Sequence, residues 1–427
     1  MSSAESRATF FRQSGWMAFA TMAGGLFNMF STLVVFEMPD DQVNAFDAAL
    51  AALAIFGTPA LGVQAAFAAQ ASVTDDSDRM KTLAATMRGA FLWLTAGWAV
   101  LAGLCVLFST KIFALFGLSQ PAFLWVLLAL ALVTVWTPVT NGTLQGRQDF
   151  LWFGLGTLLN GVGRFAVLVI VVLVLKLGAL GGLVGVLAGS LAVFALVTWR
   201  TRDVLAAPGG KVDWHKFLRR AVPLTFGLGA LVTIMQADAL IVREKLQSLG
   251  LTTEEIVGYT AARRIGQVLV FLVGAVVSVM YPKVARSFQR TEATDVLKLT
   301  VCLTALVSVV GAAITSLVPE IPLRMLAGSG ATAESAKLVV AFVWALVPLA
   351  ISNVLVWNLL ARECYRAVPF LVLVAGGCWL ALRTYNDRLL TVITVVGISA
   401  LALLIVSAIF MLIENRARQG DRAAVNA

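Results

Sequence analysis

Three arginines and one aspartate fall inside stretches of sequence that are otherwise apolar, Arg164 in mid-span and the others toward the outer ends of their spans. Arg164 lies in the middle of 153–175, Arg263 and Arg264 lie in 258–281, and Asp238 lies toward the end of 222–243. An arginine at the centre of a membrane helix costs about 2.5–3.5 kcal/mol on insertion scales, so it faces a wet cavity or a partner rather than lipid. Guanidinium groups placed there bind anions, and their fork of donors suits phosphate oxygens. A carboxylate in the same setting pairs with an arginine, or it exchanges a proton or binds Na⁺.

Helical spacing groups these residues with other polar side chains. Asn160 and Thr157 lie one and two turns before Arg164, which makes a polar stripe of an otherwise isolated charge. Tyr259, Arg263 and Gln267 stand at i, i+4 and i+8, with Arg264 one step round the helix. Asp238 has a depth similar to that of Arg263 and Arg264, so a salt bridge between the two helices, with either arginine, is one reading of it. The alternative reading makes Asp238 a switchable ion pair or a coupling carboxylate. For Arg164 the choice is between an anion ligand lining a cavity and a side chain bonded to carbonyls of neighbouring helices. Asn28 shares a face with Thr21, Gly24 and Thr32, and Asn141 shares one with Thr134, Pro138 and Gln145. These two amides are counted among the substrate-facing candidates, although stripes of small and amide residues are first of all helix-packing positions. Gln64, Asn353 and Asn358 carry a weaker signal of the same kind.

Catalysis has little to work with. There is no HExxH, no Cys-His or Ser-His pairing in an apolar run, no paired carboxylate within a span and no glycine loop followed by Lys-Ser/Thr. The single histidine, His215, falls in a polar connector. Of four cysteines, Cys105, Cys302 and Cys378 lie in apolar runs and Cys364 in a short loop, which suggests neither a disulfide framework nor a metal site. The chain is read as no enzyme and as needing no cofactor, with H⁺ or Na⁺ coupling through Asp238 as the remaining chemistry.

The elements that position these residues follow from composition. The 427 residues are 59% hydrophobic and only 13% charged, whereas soluble domains carry about 25% charge. Apolar runs of roughly 20 residues, enough to cross a hydrocarbon core about 30 Å thick, recur along nearly the whole chain. Spans are expected near 14–36, 46–71, 88–109, 121–144, 153–175 and 178–199, then near 222–243, 258–281, 298–318, 336–360, 367–382 and 389–413. The fold class is therefore an all-α polytopic membrane protein of about twelve helices, in two six-helix lobes around a central cavity. The longest polar connector contains Pro208-Gly209-Gly210. It divides the chain into an N-terminal lobe at 1–205, a linker at 206–221 and a C-terminal lobe at 222–427 that ends in a short tail.

The net charge of +9 has an ordinary source. Lys and Arg concentrate in alternate connectors, as the positive-inside rule requires, and the first outer connector holds Glu37, Asp40, Asp41 and Asp47 without a basic residue. Both termini are expected on the cytoplasmic side, no removable signal peptide is read, and nucleic acid is not an expected partner.

Together these features resemble the polysaccharide-transporter branch of the multidrug, oligosaccharidyl-lipid and polysaccharide exporter (MOP) superfamily, which includes bacterial O-antigen flippases. In the first half the likeness rests on Phe46-Asp47-Ala48-Ala49-Leu50, Pro59-Ala60-Leu61-Gly62-Val63-Gln64, Asn141-Gly142-Thr143-Leu144-Gln145-Gly146-Arg147, and Arg164 followed by Gly178-Ala179-Leu180-Gly181-Gly182. In the second half it rests on Ala237-Asp238, Val257-Gly258-Tyr259-Thr260-Ala261-Ala262 and Met280-Tyr281-Pro282-Lys283. The resemblance implies a bacterial inner-membrane flippase that moves polyprenyl-diphosphate-linked oligosaccharide outward by alternating access. Its partners would be the lipid-linked oligosaccharide, membrane lipids and other polysaccharide-assembly proteins. Arg164, Arg263, Arg264, Asn160, Tyr259, Gln267, Asn28 and Asn141 would then contact substrate.

Two other functions compete. A cation-coupled multidrug or metabolite antiporter of the same superfamily would make Asp238 essential for coupling. A membrane-embedded glycan polymerase or ligase is the weaker alternative, because such enzymes tend to carry a large outer loop and none is visible here.

Overall fold

A computed structural model describes residues 3–35, 38, 40–74, 77–109, 121–245, 253–289, 296–327 and 332–426, and every regular element among them is helical. Lipid imposes this outcome, because a backbone that cannot bond to water must satisfy its N–H and C=O groups within its own segment. In the N-terminal half the helices are α1 (Ser3–Val35), α2 (Asp40–Ala71), α3 (Ser77–Leu107), α4 (Pro121–Gly146), α5 (Phe150–Leu168, running into a π turn at Val169–Val174) and α6 (Gly178–Arg200). A short α7 (Arg202–Ala206) leads to α8 (Trp214–Lys245). Then follow α9 (Thr253–Gln289), α10 (Val296–Leu317), a short α11 (Glu320–Ala327), α12 (Ala333–Ala361), α13 (Val368–Thr384) and α14 (Leu389–Asn426).

Among the described residues ten helices are long and apolar enough to cross a membrane, from Ser77–Leu107 to Leu389–Arg416. The long helices α1 and α2 stand where the first two spans are expected. The eleventh expected span is α13, 17 residues long, entered through a 3₁₀ turn at Tyr365–Ala367.

The chain divides into two compact units, Met1–Thr225 and Phe226–Ala427. The division falls inside α8, so about its first three turns belong with the N-terminal helices. The segment before α8 is docked rather than loose: Gly210 donates its N–H to the Lys81 carbonyl at 3.1 Å, and the Trp214 ring fills the notch left by Gly89 on α3. Trp214 also stacks edge-on against Phe217, which in turn meets Phe67 of α2.

In lipid, apolar surface gains little by burial against another helix, so association relies on close packing and on polar contacts. Helices α1 and α5 cross where Gly24 meets Gly161, and a Cβ on Gly161 would sit 2.2 Å from the Gly24 carbonyl oxygen. Gln64 of α2 donates to Gln145 of α4 at 3.2 Å. The start of α6 is fixed by α2: Gly178 adopts φ +55°, and the Gln42 side-chain oxygen accepts from the Ala179 N–H at 3.1 Å, serving one of the orphan donors of that helix.

In the C-terminal unit α12 is the central helix, packed against α9, α10 and α14. Its face toward α9 carries Phe342 and Trp357, which meet Tyr259 and Tyr281 edge-on at 5.2 and 4.9 Å.

Candidate functional site

The polar cluster of the C-terminal unit is assembled by two helices. Helix α8 supplies Met235, Gln236 and Asp238, and α9 supplies Tyr259, Arg263 and Gln267 from one face, since their spacing of four keeps them in line. Asp238 is 1% exposed. Its carboxylate accepts from the Arg263 Nε at 3.0 Å through Oδ2 and from the Tyr259 hydroxyl at 2.8 Å. The second oxygen, Oδ1, lies 3.2 Å from the same Nε.

Arg263 is held on its other side as well. Its Nη2 donates to the Gln236 side-chain oxygen and to the Met235 carbonyl, the latter at 3.4 Å. Gln267 donates to that carbonyl at 3.0 Å. The Tyr259 ring, packed on Phe342, adds a third helix to the support. A charge pair in this setting is useful only when its remaining donors are satisfied, because desolvation otherwise exceeds the Coulombic gain. Here Gln236 and the Met235 carbonyl supply those acceptors.

A proton or a Na⁺ on Asp238 would cancel the charge that holds the Arg263 Nε, while the bonds from Nη2 to α8 would persist. The carboxylate could then change partner without an arginine left bare in the membrane.

Arg264 lies outside this cluster: it is exposed, as expected one step round α9. In the N-terminal unit Arg164 is half-buried on α5, with Gly189 of α6 leaving room for its backbone. Asn160 is exposed, and the Thr157 hydroxyl bonds back to the Phe153 carbonyl of its own helix at 3.1 Å. Asn28 on α1 and Asn141 on α4 are each half-buried. The structure therefore brings Asp238, Tyr259, Arg263 and Gln267 into one network, and it places Arg164 and Asn160 on the same helix of the other unit.

Gln236 and Phe342 belong to the site without lying on the i, i+4, i+8 stripe of α9. Gln236 is two positions from Asp238 and so points elsewhere on α8; the long Arg263 side chain reaches it. An amide next to an intramembrane carboxylate is the signal that was available. Gln145, read as part of a polar stripe, is a packing contact, buried and bonded to Gln64.

No protein-family model matches the chain, and no curated protein matches it. Solved structures do. It is similar to an outward-facing multidrug resistance MATE family transporter of the MOP superfamily, at 13% identity, 96% coverage of both chains and a TM-score of 0.76. It is similar to a MATE in complex with MaL6, at 14% identity, the same coverage and a TM-score of 0.77. A mutant of the Vibrio cholerae MATE transporter VcmN matches at 12% identity over 96% of both chains, with a TM-score of 0.72. These structures belong to the superfamily that the motifs resemble and to its MATE family rather than to its polysaccharide branch. The fold of this chain, all helical and two-lobed, is the fold of the MATE transporters.

Proposed function

We propose that this chain is a cation-coupled secondary transporter that exports an amphipathic organic solute in exchange for H⁺ or Na⁺ by alternating access. The observation that carries this reading is the buried Asp238 carboxylate, shared between Arg263 and Tyr259. An intramembrane acid of this kind is costly and marks an ion path by default. The fold it shares with multidrug resistance MATE transporters supports the same reading. Asp238 is the coupling residue, Arg263 is the internal counter-ion that replaces the cation in the unloaded state, and Tyr259 and Gln236 position the pair. The protein acts in a bacterial inner membrane with both termini in the cytoplasm, and it uses no cofactor.

A second reading is the flippase of polyprenyl-diphosphate-linked oligosaccharide, working beside polysaccharide-assembly proteins. Its support is Arg164, half-buried in mid-span with the exposed Asn160 one turn away, together with the exposed Arg264. Guanidinium donors on span faces suit a diphosphate better than an organic cation.

Proteoliposomes separate the two. The first reading expects efflux of an organic cation such as ethidium under an imposed H⁺ or Na⁺ gradient, with no movement of a polyprenyl-diphosphate oligosaccharide. Protein-dependent movement of the lipid-linked glycan, lost in Arg164→Ala, would replace the first reading with the second.

A further inference from the structure

At the turns from α4 to α5 and from α6 to α7 of the N-terminal unit, four charges pair off and a fifth, among the described residues, meets no carboxylate. Where α4 turns into α5, Arg147 meets Asp203 at 2.7 Å and Asp149 meets Arg200 at 2.7 Å, so the two connectors at this end are tied by crossed ion pairs. Arg202 has no carboxylate partner among the described residues. Its guanidinium instead lies over the Trp199 ring, 5.1 Å from the centroid. Trp199 is 50% exposed, and Trp152 at the start of α5 supports it edge-on at 5.4 Å.

Two features say what this arrangement faces. Val184, Leu191, Ala195 and Trp199 are exposed along one side of α6, so a continuous apolar track runs down the helix and ends at Arg202. Trp is enriched at membrane–water boundaries, where an apolar ring body and an N–H tip suit the headgroup level. A guanidinium stacked on an indole face keeps its in-plane donors directed outward, and the stacking orders it at small cost.

We propose that Arg202, Trp199 and Trp152 form a binding site for an anionic phospholipid of the inner leaflet. Arg202 takes the headgroup phosphate, Trp199 is the platform that orients it, and an acyl chain follows the apolar side of α6. The inner leaflet is the anionic one, and basic residues close to it are drawn to its surface. Occupancy would hold the tied connectors of α4, α5 and α6 at the membrane surface.

The test is thermal unfolding of the full chain in neutral detergent, with added phosphatidylglycerol, phosphatidylcholine or inorganic phosphate. Phosphatidylglycerol should raise the melting temperature of the wild type more than the other two. Arg202→Gln should lose that lipid-specific shift while melting like the wild type in lipid-free detergent, and Arg202→Lys should keep part of it. Trp199→Ala, which leaves every charge in place, should weaken the shift, and it tests the platform independently should Arg202→Gln misfold. An unchanged phosphatidylglycerol shift in Arg202→Gln or in Trp199→Ala would overturn the site. An equal shift with phosphatidylcholine would remove the anionic preference, and an equal shift with inorganic phosphate would make it a free-anion site rather than a lipid site.

Discussion

Asp238 and Arg263 meet across α8 and α9 at 3.0 Å, and the arginine is held at the same time by the side chain of Gln236, so its charge has two sets of partners. The pair is a lock whose two halves can be tested separately.

Removing one half leaves the other charge buried and uncompensated. Asp238→Ala or Arg263→Ala should therefore lower stability by about 3–5 kcal/mol, whereas the apolar double variant Asp238→Leu/Arg263→Met should recover most of it. Chemical unfolding in detergent micelles measures all three, and a double variant no more stable than the single ones would show that the network holds the fold in a way charge pairing does not explain.

Asp238→Asn keeps the shape and the Tyr259 bond while losing the charge. Transport by this variant should no longer respond to an imposed H⁺ or Na⁺ gradient, though solute binding should persist. Retained gradient dependence would leave Asp238 as a structural partner of Arg263 only.

Close crossing at glycine makes a packing prediction. Gly161→Leu drives a side chain into the Gly24 backbone, and overpacking of this kind costs about 1–3 kcal/mol. Reduced melting temperature is expected for Gly161→Leu, with a smaller loss for substitution at Gly97, where an added Cβ meets no atom within 4 Å.

The α6 cap can be removed from either side. Gln42→Ala deletes the acceptor that serves the Ala179 N–H and should cost about 0.5–2 kcal/mol, in the range of other cap losses. Gly178→Ala should cost more than a usual exposed substitution, because the new Cβ meets a positive φ and the Gln42 side chain together. Unfolding measurements on the two variants check the ranking.

The spans were legible in the sequence because hydropathy reports directly on the surrounding solvent. A pairing of Asp238 with an arginine of α9 was legible as one of two readings, since helical rise converts residue number into depth, but that the partner is Arg263 and not Arg264 comes from the structure. Which amide completes the network was not, because Gln236 is reached by side-chain length rather than by periodicity. The linker at 206–221 reads as a polar connector; polarity reports exposure, and it says nothing of the Gly210 bond to Lys81 or the seat of Trp214 on Gly89. The Gln42 cap was equally hidden, since it joins residues 137 positions apart. Arg164 and Asn160 were placed on one stripe, and the structure keeps them there, one half-buried and one exposed.

In the proposed function, Asp238 couples cation movement to solute export. Proteoliposomes that enclose a pH- or Na⁺-sensitive dye measure it directly, by the cation flux that follows addition of the transported solute to wild-type protein and to Asp238→Asn. A solute-triggered flux in the wild type that disappears in Asp238→Asn, with solute binding intact, is the predicted result. Equal flux in both proteins, or solute movement with no cation flux in either, would contradict the account.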